Sequence, residues 1–307
     1  IRGVMGPDEY HDGYPWSEEP GLNNNAYTNV MAAWVLSETL KILDSLPQER
    51  RRELQETLSL KQEELDRWDD VSRRLCVVFQ DGGIISQFEG YDDLEEFDWE
   101  GYREKYEDIQ RLDRILEAED DTPNRYKASK QADVLMLFYL FSAEELKRMF
   151  DRLGYDFDPD TIPRNIRYYM QRTSHGSTLS RMVHSSILGR ASREESWPLF
   201  ESALKSDYTD IQGGTTPEGI HLGAMAGSVD ILLQTYTGIE ACRGVLRFNP
   251  RLPREMGRLS MNIRYRCHSL HVDVTEEHLT VTAGDAVAEP IRIGFKGREF
   301  QLAKNQT

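Results

Sequence analysis

Ala132-Asp133-Val134-Leu135-Met136-Leu137-Phe138-Tyr139-Leu140-Phe141 is the most apolar run of the chain, and so continuous an apolar surface predicts a helix buried on most sides. Downstream, Ser142-Ala143-Glu144-Glu145 reads as a capping box opening a helix from Leu146 to Leu153. Upstream, Tyr27, Val30, Met31, Trp34, Val35, Leu40, Leu43 and Leu46 recur near a helical period. Pro47 then stops that helix, and a charged one follows from Gln48 to Leu75. Residues 1–26, punctuated by Gly3, Gly6, Pro7, Gly13, Pro15, Pro20 and Gly21, read as a loop. Further helices are predicted over 161–172, 179–190, 192–206 and 217–241. Many helices joined by short turns predict helix-on-helix packing.

Beyond Asn249-Pro250 the period shortens to two. Leu259–Tyr265, Ser269–Val274, Leu279–Ala283 and Ile291–Phe295 alternate apolar and polar residues with β-branched ones, which predicts a small antiparallel sheet domain. The expected fold class is mainly α with a small all-β C-terminal domain. Helices occupy residues 1–250 and strands 251–307, with the boundary near 248–256. No internal repeat or low-complexity tract interrupts either part.

The 307 residues carry 37 Lys and Arg against 53 Asp and Glu, a formal charge of −16. Such an acidic balance argues against nucleic acid or an anionic membrane as the main partner, since both demand a basic surface. Hydrophobic residues at 39 %, in periodic arrangement, exclude disorder for the bulk of the chain. No run of 18 apolar residues exists, so no membrane-spanning helix is predicted. Cys76, Cys242 and Cys267 lack metal-type spacing, and so sparse and odd a set suits a reducing cytoplasm. The start at Ile1-Arg2-Gly3, without an initiator Met and inside a motif-dense stretch, reads as part of a longer polypeptide. Phe88–Asp121 holds fifteen acidic and four basic residues, a local charge of −11, and reads as a solvated, loop-rich excursion. It lacks the Asp-x-Asp-x-Asp-Gly pattern of a calcium loop.

Several segments carry chemistry. In Gly6-Pro7-Asp8-Glu9-Tyr10-His11 a turn sets two carboxyl groups beside an aromatic ring and an imidazole. A carboxyl against an apolar ring keeps its proton and can act as a general acid; the alternative is a helix cap or a solvated loop. Asp8 either orients Glu9's surroundings or caps the turn, and Trp16 is a candidate sugar-stacking platform. The amides of Asn23–Asn29 suit sugar binding or helix capping. Lys130 and Gln131 stand at the mouth of the apolar helix, where a cation binds an anionic or hydroxyl-rich ligand or snorkels to solvent. Thr173-Ser174-His175-Gly176-Ser177-Thr178 is a hydroxyl-rich glycine turn opening a helix. In Gly213-Gly214-Thr215-Thr216-Pro217-Glu218-Gly219-Ile220-His221, Thr216 suits an N-cap and Pro217 the first helical position. Two such helix starts and a lysine make an oxyanion or phosphate pocket, or simply two capped helices. His184, His268, His271 and His278 read as surface or sheet residues.

In these residues the chain resembles the carbohydrate phosphorylases of glycoside hydrolase family 65, which act on α-linked glucose disaccharides such as maltose, trehalose and kojibiose. The resemblance rests on Gly6–His11, Asn24–Asn29, Lys130–Val134, His175–Ser180 and Gly214–Gly227, in order and over nearly the whole chain. It implies the later part of an (α/α)6 catalytic barrel followed by the small β domain. The family's leading β-sandwich and early barrel helices, which complete the sugar pocket, are not in this chain. Carried over, Glu9 resembles the general acid. Lys130 and Gln131 resemble residues lining the glucose and phosphate pocket. His175, Ser177 and Thr178, with the Gly214-Thr215 turn, resemble the phosphate-binding segments. Glu218 resembles a substrate contact or a structural pair at the helix start, and His221 lies in the same motif. A homodimer is a further implication.

The reaction so implied is inverting phosphorolysis to β-glucose 1-phosphate. An inverting glycosidase needs an acid and a base, whereas phosphate brings its own nucleophilic oxygen and needs only the acid. Having His175 where hydrolytic relatives are expected to hold a carboxylate favours phosphate, which a carboxylate would repel. Phosphate is then a co-substrate, and no metal or organic cofactor is required. Two other readings stay open. One is a trehalase-type inverting α-glucosidase with Glu218 or another carboxylate as base. The other is a catalytically silent half-barrel that needs its missing barrel segment as a partner.

Overall fold

The structure, a computed structural model, describes residues 1–190, 192–209, 219–242, 244–285 and 288–307. The chain forms two compact units, Ile1–Ser177 and Thr178–Thr307.

In the first unit α1 (Ala26–Ser45) begins at Asn25, whose Oδ1 accepts the Thr28 N–H and satisfies an open helix-end donor. The single charged helix expected from Gln48 to Leu75 is two: α2 (Gln48–Leu58) and α3 (Gln62–Arg74). Ser59 separates them in a left-handed conformation, its N–H turned back onto Gln55 and Glu56. A short hairpin of β1 (Phe79–Gln80) and β2 (Ile84–Ile85) follows, then α4 (Trp99–Lys105) and α5 (Leu112–Ala118). The apolar run forms α6 (Asp133–Leu140), with Val134 through Phe138 all buried. Ser142 and Glu145 make the expected capping box of α7 (Ala143–Leu153), and α8 (Thr161–Met170) follows. α1 packs on α3, α6 and α7, and α6 packs on α8.

The acidic stretch 88–121 differs from its sequence reading. Most of its charges face water, but Phe88, Tyr91, Leu94, Phe97, Leu112 and Leu116 are buried. Phe97, Leu112 and Leu116 share one core with Tyr10 and Ala128, so this stretch is packed against the turn that carries Glu9.

In the second unit α9 (Thr178–Gly189) and α10 (Arg193–Leu204) pack on each other, followed by α11 (Ser206–Thr209) and α12 (Leu222–Asp230). Met182, Phe200, Ile231 and Tyr236 form their shared core. The helix expected over 217–241 is corrected at both ends. Residues 219–221 are not helical, and after a π-helical turn at Ile231–Tyr236 the chain is already a strand, β3 (Glu240–Cys242). Gly238 makes that change possible, with φ 60° and no room for a Cβ, which would stand 2.6 Å from the Asn249 carbonyl.

The β domain continues with β4 (Val245–Phe248), β5 (Arg258–Tyr265), β6 (His268–Thr275), β7 (Leu279–Ala283), β8 (Ile291–Phe295) and β9 (Arg298–Leu302). They form two sheets, ordered β3-β4-β8-β9 and β5-β6-β7, antiparallel except for the β4–β8 pair. Alternation is strict on β6, where Leu270, Val272 and Val274 join Leu246, Phe248, Ile291 and Ile293 in the core. His184, read as a surface or sheet residue, is instead buried in α9, and His268 is buried in β6 with Nε2 on the Glu289 carbonyl at 2.9 Å. Among the described residues no helix is long and apolar enough to cross a membrane.

Glu119 ties α4 to the end of α5. It pairs with Lys105 and accepts hydrogen bonds from the Tyr102 and Tyr106 hydroxyls, and these three partners, Lys105 foremost, hold its carboxyl down to about 2. A carboxyl lowered on folding adds stability above its ordinary value, and that stability disappears as pH falls through the folded one. Thermal unfolding followed by circular dichroism should therefore show Glu119→Gln melting below wild type at pH 7, with the gap narrowing from about pH 5 downward and closing only near pH 2. A gap that stays constant with pH would contradict this assignment.

Candidate active site

The residues singled out near the start of the chain are held by a buried carboxyl pair. Asp8 Oδ1 accepts the backbone N–H groups of Lys130 and Gln131 at 2.6 and 2.9 Å. The Asp8 N–H in turn donates to Asp133 Oδ1 at 2.8 Å, while Asn25 Nδ2 donates to Asp133 Oδ2 at 2.6 Å. The Asp133 N–H, one of the open donors of the first turn of α6, is taken by Gln87 Oε1 at 2.6 Å. Three separate stretches thus meet at two carboxylates. Gly6 makes room for them, since a Cβ there would stand 1.8 Å from Asp133 Oδ2.

Beyond Asp8 the chain turns outward. Glu9 has φ 62°, an uncommon left-handed conformation for a residue with a side chain. Its side chain is 62 % exposed, with Oε2 3.4 Å from Lys130 Nζ. The expectation that an apolar ring shields Glu9 is corrected: Tyr10 turns inward onto Phe97 and Leu112. The carboxyl held up is Asp133, which burial first and the neighbouring Asp8 second keep well above the usual carboxylate range. Lys130 does not simply snorkel, because it ends on Glu9. Gln131 is buried, its Nε2 3.4 Å from the Pro7 carbonyl.

The His175 turn reaches the same place. Ser129 N–H donates to the Arg172 carbonyl and Ser174 N–H to the Ser129 carbonyl, each at 2.8 Å, which lays 172–174 alongside 129. The Tyr10 hydroxyl and Ser174 Oγ are 2.8 Å apart. A Cβ on Gly176 would stand 2.4 Å from the Gln110 carbonyl, 3.1 Å from the Tyr10 hydroxyl and 3.3 Å from Lys130 Cγ. His175, half-buried, has φ 57°, a second side-chain residue in left-handed backbone. The structure therefore brings Glu9, Lys130 and the His175–Ser177 turn together. A cleft of about 430 Å³ adjoins Glu9 and Lys130, with Asp12, Asp113, Glu117 and Asp121 along its other walls. Trp16 does not line it and stacks instead on Tyr14, rings 5.2 Å apart.

Thr178 opens α9 in the second unit and is buried. Gly214, Thr215 and Glu218 lie outside the described residues. Next to them, His221 Nδ1 lies 2.5 Å from Asp207 Oδ1, and the His221 N–H also donates to that carboxylate. Sequence reasoning missed Asp207 and Asp133. Nothing local marks Asp133, a lone acid at the head of an apolar helix whose partners are about a hundred residues away.

The model of the glycosyl hydrolase family 65 central catalytic domain matches residues 1–230, and that of the family's C-terminal domain matches residues 239–302. The chain belongs to glycosyl hydrolase family 65. An uncharacterized glycosyl hydrolase of Mycobacterium tuberculosis is 52 % identical over all of this chain, which covers 23 % of that protein. Trehalose 6-phosphate phosphorylase of Lactococcus lactis is 34 % identical over 92 % of this chain and 35 % of its own length. A solved structure, a putative kojibiose phosphorylase from human microbiome, superposes with a TM-score of 0.75 at 22 % identity, over 99 % of this chain and 38 % of that one. The fold is that of a partial helical barrel followed by the β domain. The chain spans about a quarter to a third of the length of the curated relatives just named.

Filling the space kept by Gly6 should be costly. Gly6→Ala is expected to destabilise by roughly 1–3 kcal/mol through overpacking against Asp133, measured by urea unfolding. Gly223→Ala, a helical site with nothing within 4 Å of a new Cβ, is the control and should be neutral or stabilising. Equal effects at the two positions would contradict the close approach at Gly6.

Proposed function

We propose that this chain is the later part of the catalytic domain of an inverting phosphorylase acting on an α-linked glucose disaccharide of the trehalose, kojibiose or maltose type. Glu9 is the general acid. Phosphate is held by His175, Ser177 and Thr178 and by the Gly214-Thr215 turn, while Lys130, Gln131 and Glu218 contact the substrate. One phosphate oxygen attacks C1 of the glucosyl unit from the face opposite the glycosidic oxygen. The C1–O bond breaks as Glu9 passes its proton to that oxygen, giving β-glucose 1-phosphate and the free second sugar.

The observation that supports this reading is the meeting of Glu9, Lys130 and the His175–Ser177 turn in one place, a carboxyl beside a lysine and a hydroxyl-rich turn. Donors of that kind favour a phosphate dianion, which a carboxylate would repel. The names of the relatives, trehalose 6-phosphate phosphorylase and kojibiose phosphorylase among them, point the same way. The carboxylate-rich cleft beside Glu9 suits hydrogen bonds from sugar hydroxyls.

Proton NMR of the anomeric region tests it on the full-length gene product, offered trehalose, trehalose 6-phosphate, kojibiose, nigerose and maltose with and without phosphate. β-Glucose 1-phosphate should form from one of these sugars only when phosphate is present. His175→Ala should raise the KM for phosphate at least about tenfold while leaving that for the sugar nearly unchanged. Glucose released at the same rate without phosphate would make the protein a hydrolase.

A further inference from the structure

Glu9 is not held by contacts of its own that would explain its conformation. Its side chain is mostly exposed, its backbone N–H makes a 3.3 Å turn contact to the Gly6 carbonyl, and its backbone sits in a region that side-chain residues adopt only when their surroundings impose it. The imposing contacts fall on the residue before it. Asp8 is gripped at its N–H by Asp133 and grips, through its own carboxylate, the backbone of Lys130 and Gln131. Asn25 fixes the other oxygen of Asp133 and is itself fixed by capping α1.

Two buried carboxyl groups are a poor way to gain stability. Their desolvation is expensive, and apolar side chains of similar volume commonly stabilise as well or better. Their hydrogen bonds are directional, however, and every one of them ends on a backbone or amide group beside Glu9, Lys130 or α1. We infer that Asp133 is a positioning residue. Acting through the Asp8 N–H, with Asn25 as its brace, it holds the 6–9 turn so that Glu9 and Lys130 stay in register. It touches no substrate. The inference rests on the reading of Glu9 as general acid.

The hydrogen-bond pattern supplies its own test. In Asp133→Asn one oxygen still accepts the Asp8 N–H, but the new NH₂ meets the NH₂ of Asn25, and the brace is lost. In the exchange Asn25→Asp/Asp133→Asn the amide of residue 133 donates to the carboxylate of residue 25, which can still cap α1 by accepting the Thr28 N–H. The charge count is unchanged. In the full-length protein, Asp133→Asn should lower kcat about a hundredfold, the scale of a misplaced reacting group, with KM moving less than about threefold. The exchange should return kcat to within about fivefold of wild type. A merely structural role would show as a lower melting temperature with kcat per folded molecule intact, and that result would overturn the inference. So would an exchange that restores the melting temperature without restoring kcat.

Amide hydrogen exchange at Asp8, Lys130 and Gln131 separates this from the reading it rests on, because it needs no sugar. Exchange should quicken in Asp133→Asn and slow again in the double variant. If it does so in a protein that cleaves no disaccharide, the general-acid reading has failed and the brace stands. If exchange is the same in all three proteins, the brace itself is wrong.

Discussion

The first unit depends on one carboxylate that accepts two consecutive backbone N–H groups. Asp8 closes the open donors just ahead of α6, the most apolar helix of the chain, and by doing so pins the N-terminal turn to it. The chain entering so buried a helix is itself withdrawn from water, so the N–H groups just ahead of the helix, like those of its first turn, need a partner from elsewhere in the chain. Asp8 meets that need for Lys130 and Gln131, and Gln87 meets it for Asp133. The packing requirement of the core and the geometry of the site are therefore satisfied by the same hydrogen bonds.

From that point the other features follow. Because 6–9 is fixed to the head of α6, Glu9 and Lys130 emerge side by side. Because Ser129 pairs with the chain at Arg172–Ser174, the His175 turn emerges next to both. The acidic stretch 88–121 then closes over Tyr10 with its apolar residues and lines the adjoining cleft with its charges. A local charge of −11 spread over solvent would serve solubility alone. Folded back by Phe97, Leu112 and Leu116, part of it also walls the cleft beside Glu9.

How much of this the sequence reveals depends on how far apart the partners are. The helix at 133–140, the capping box at Ser142 and the alternation on β6 were legible because each is written in residues a few positions apart. The break at Ser59 was not, since no glycine or proline marks it. Nor was the parallel pairing of β4 with β8, which joins strands separated by most of the β domain and leaves no trace in local alternation. Glu9, Lys130 and His175 drew notice by residue type and by resemblance. Asp133 lay within the Lys130–Val134 match but drew no role, since an acid in the first turn of a helix is ordinary and its meaning lies in Asp8 and Asn25, far along the chain.

The central claim is that Glu9 gives a proton to a departing sugar while phosphate attacks. The most direct test compares wild type with Glu9→Gln on the disaccharide that the protein cleaves and on α-glucosyl fluoride, whose fluoride leaves without needing a proton. With phosphate present, Glu9→Gln should lose phosphorolysis of the disaccharide by about two to four orders of magnitude. It should still convert the fluoride to β-glucose 1-phosphate at close to the wild-type rate. Equal loss on both substrates, or no loss on either, would contradict the account.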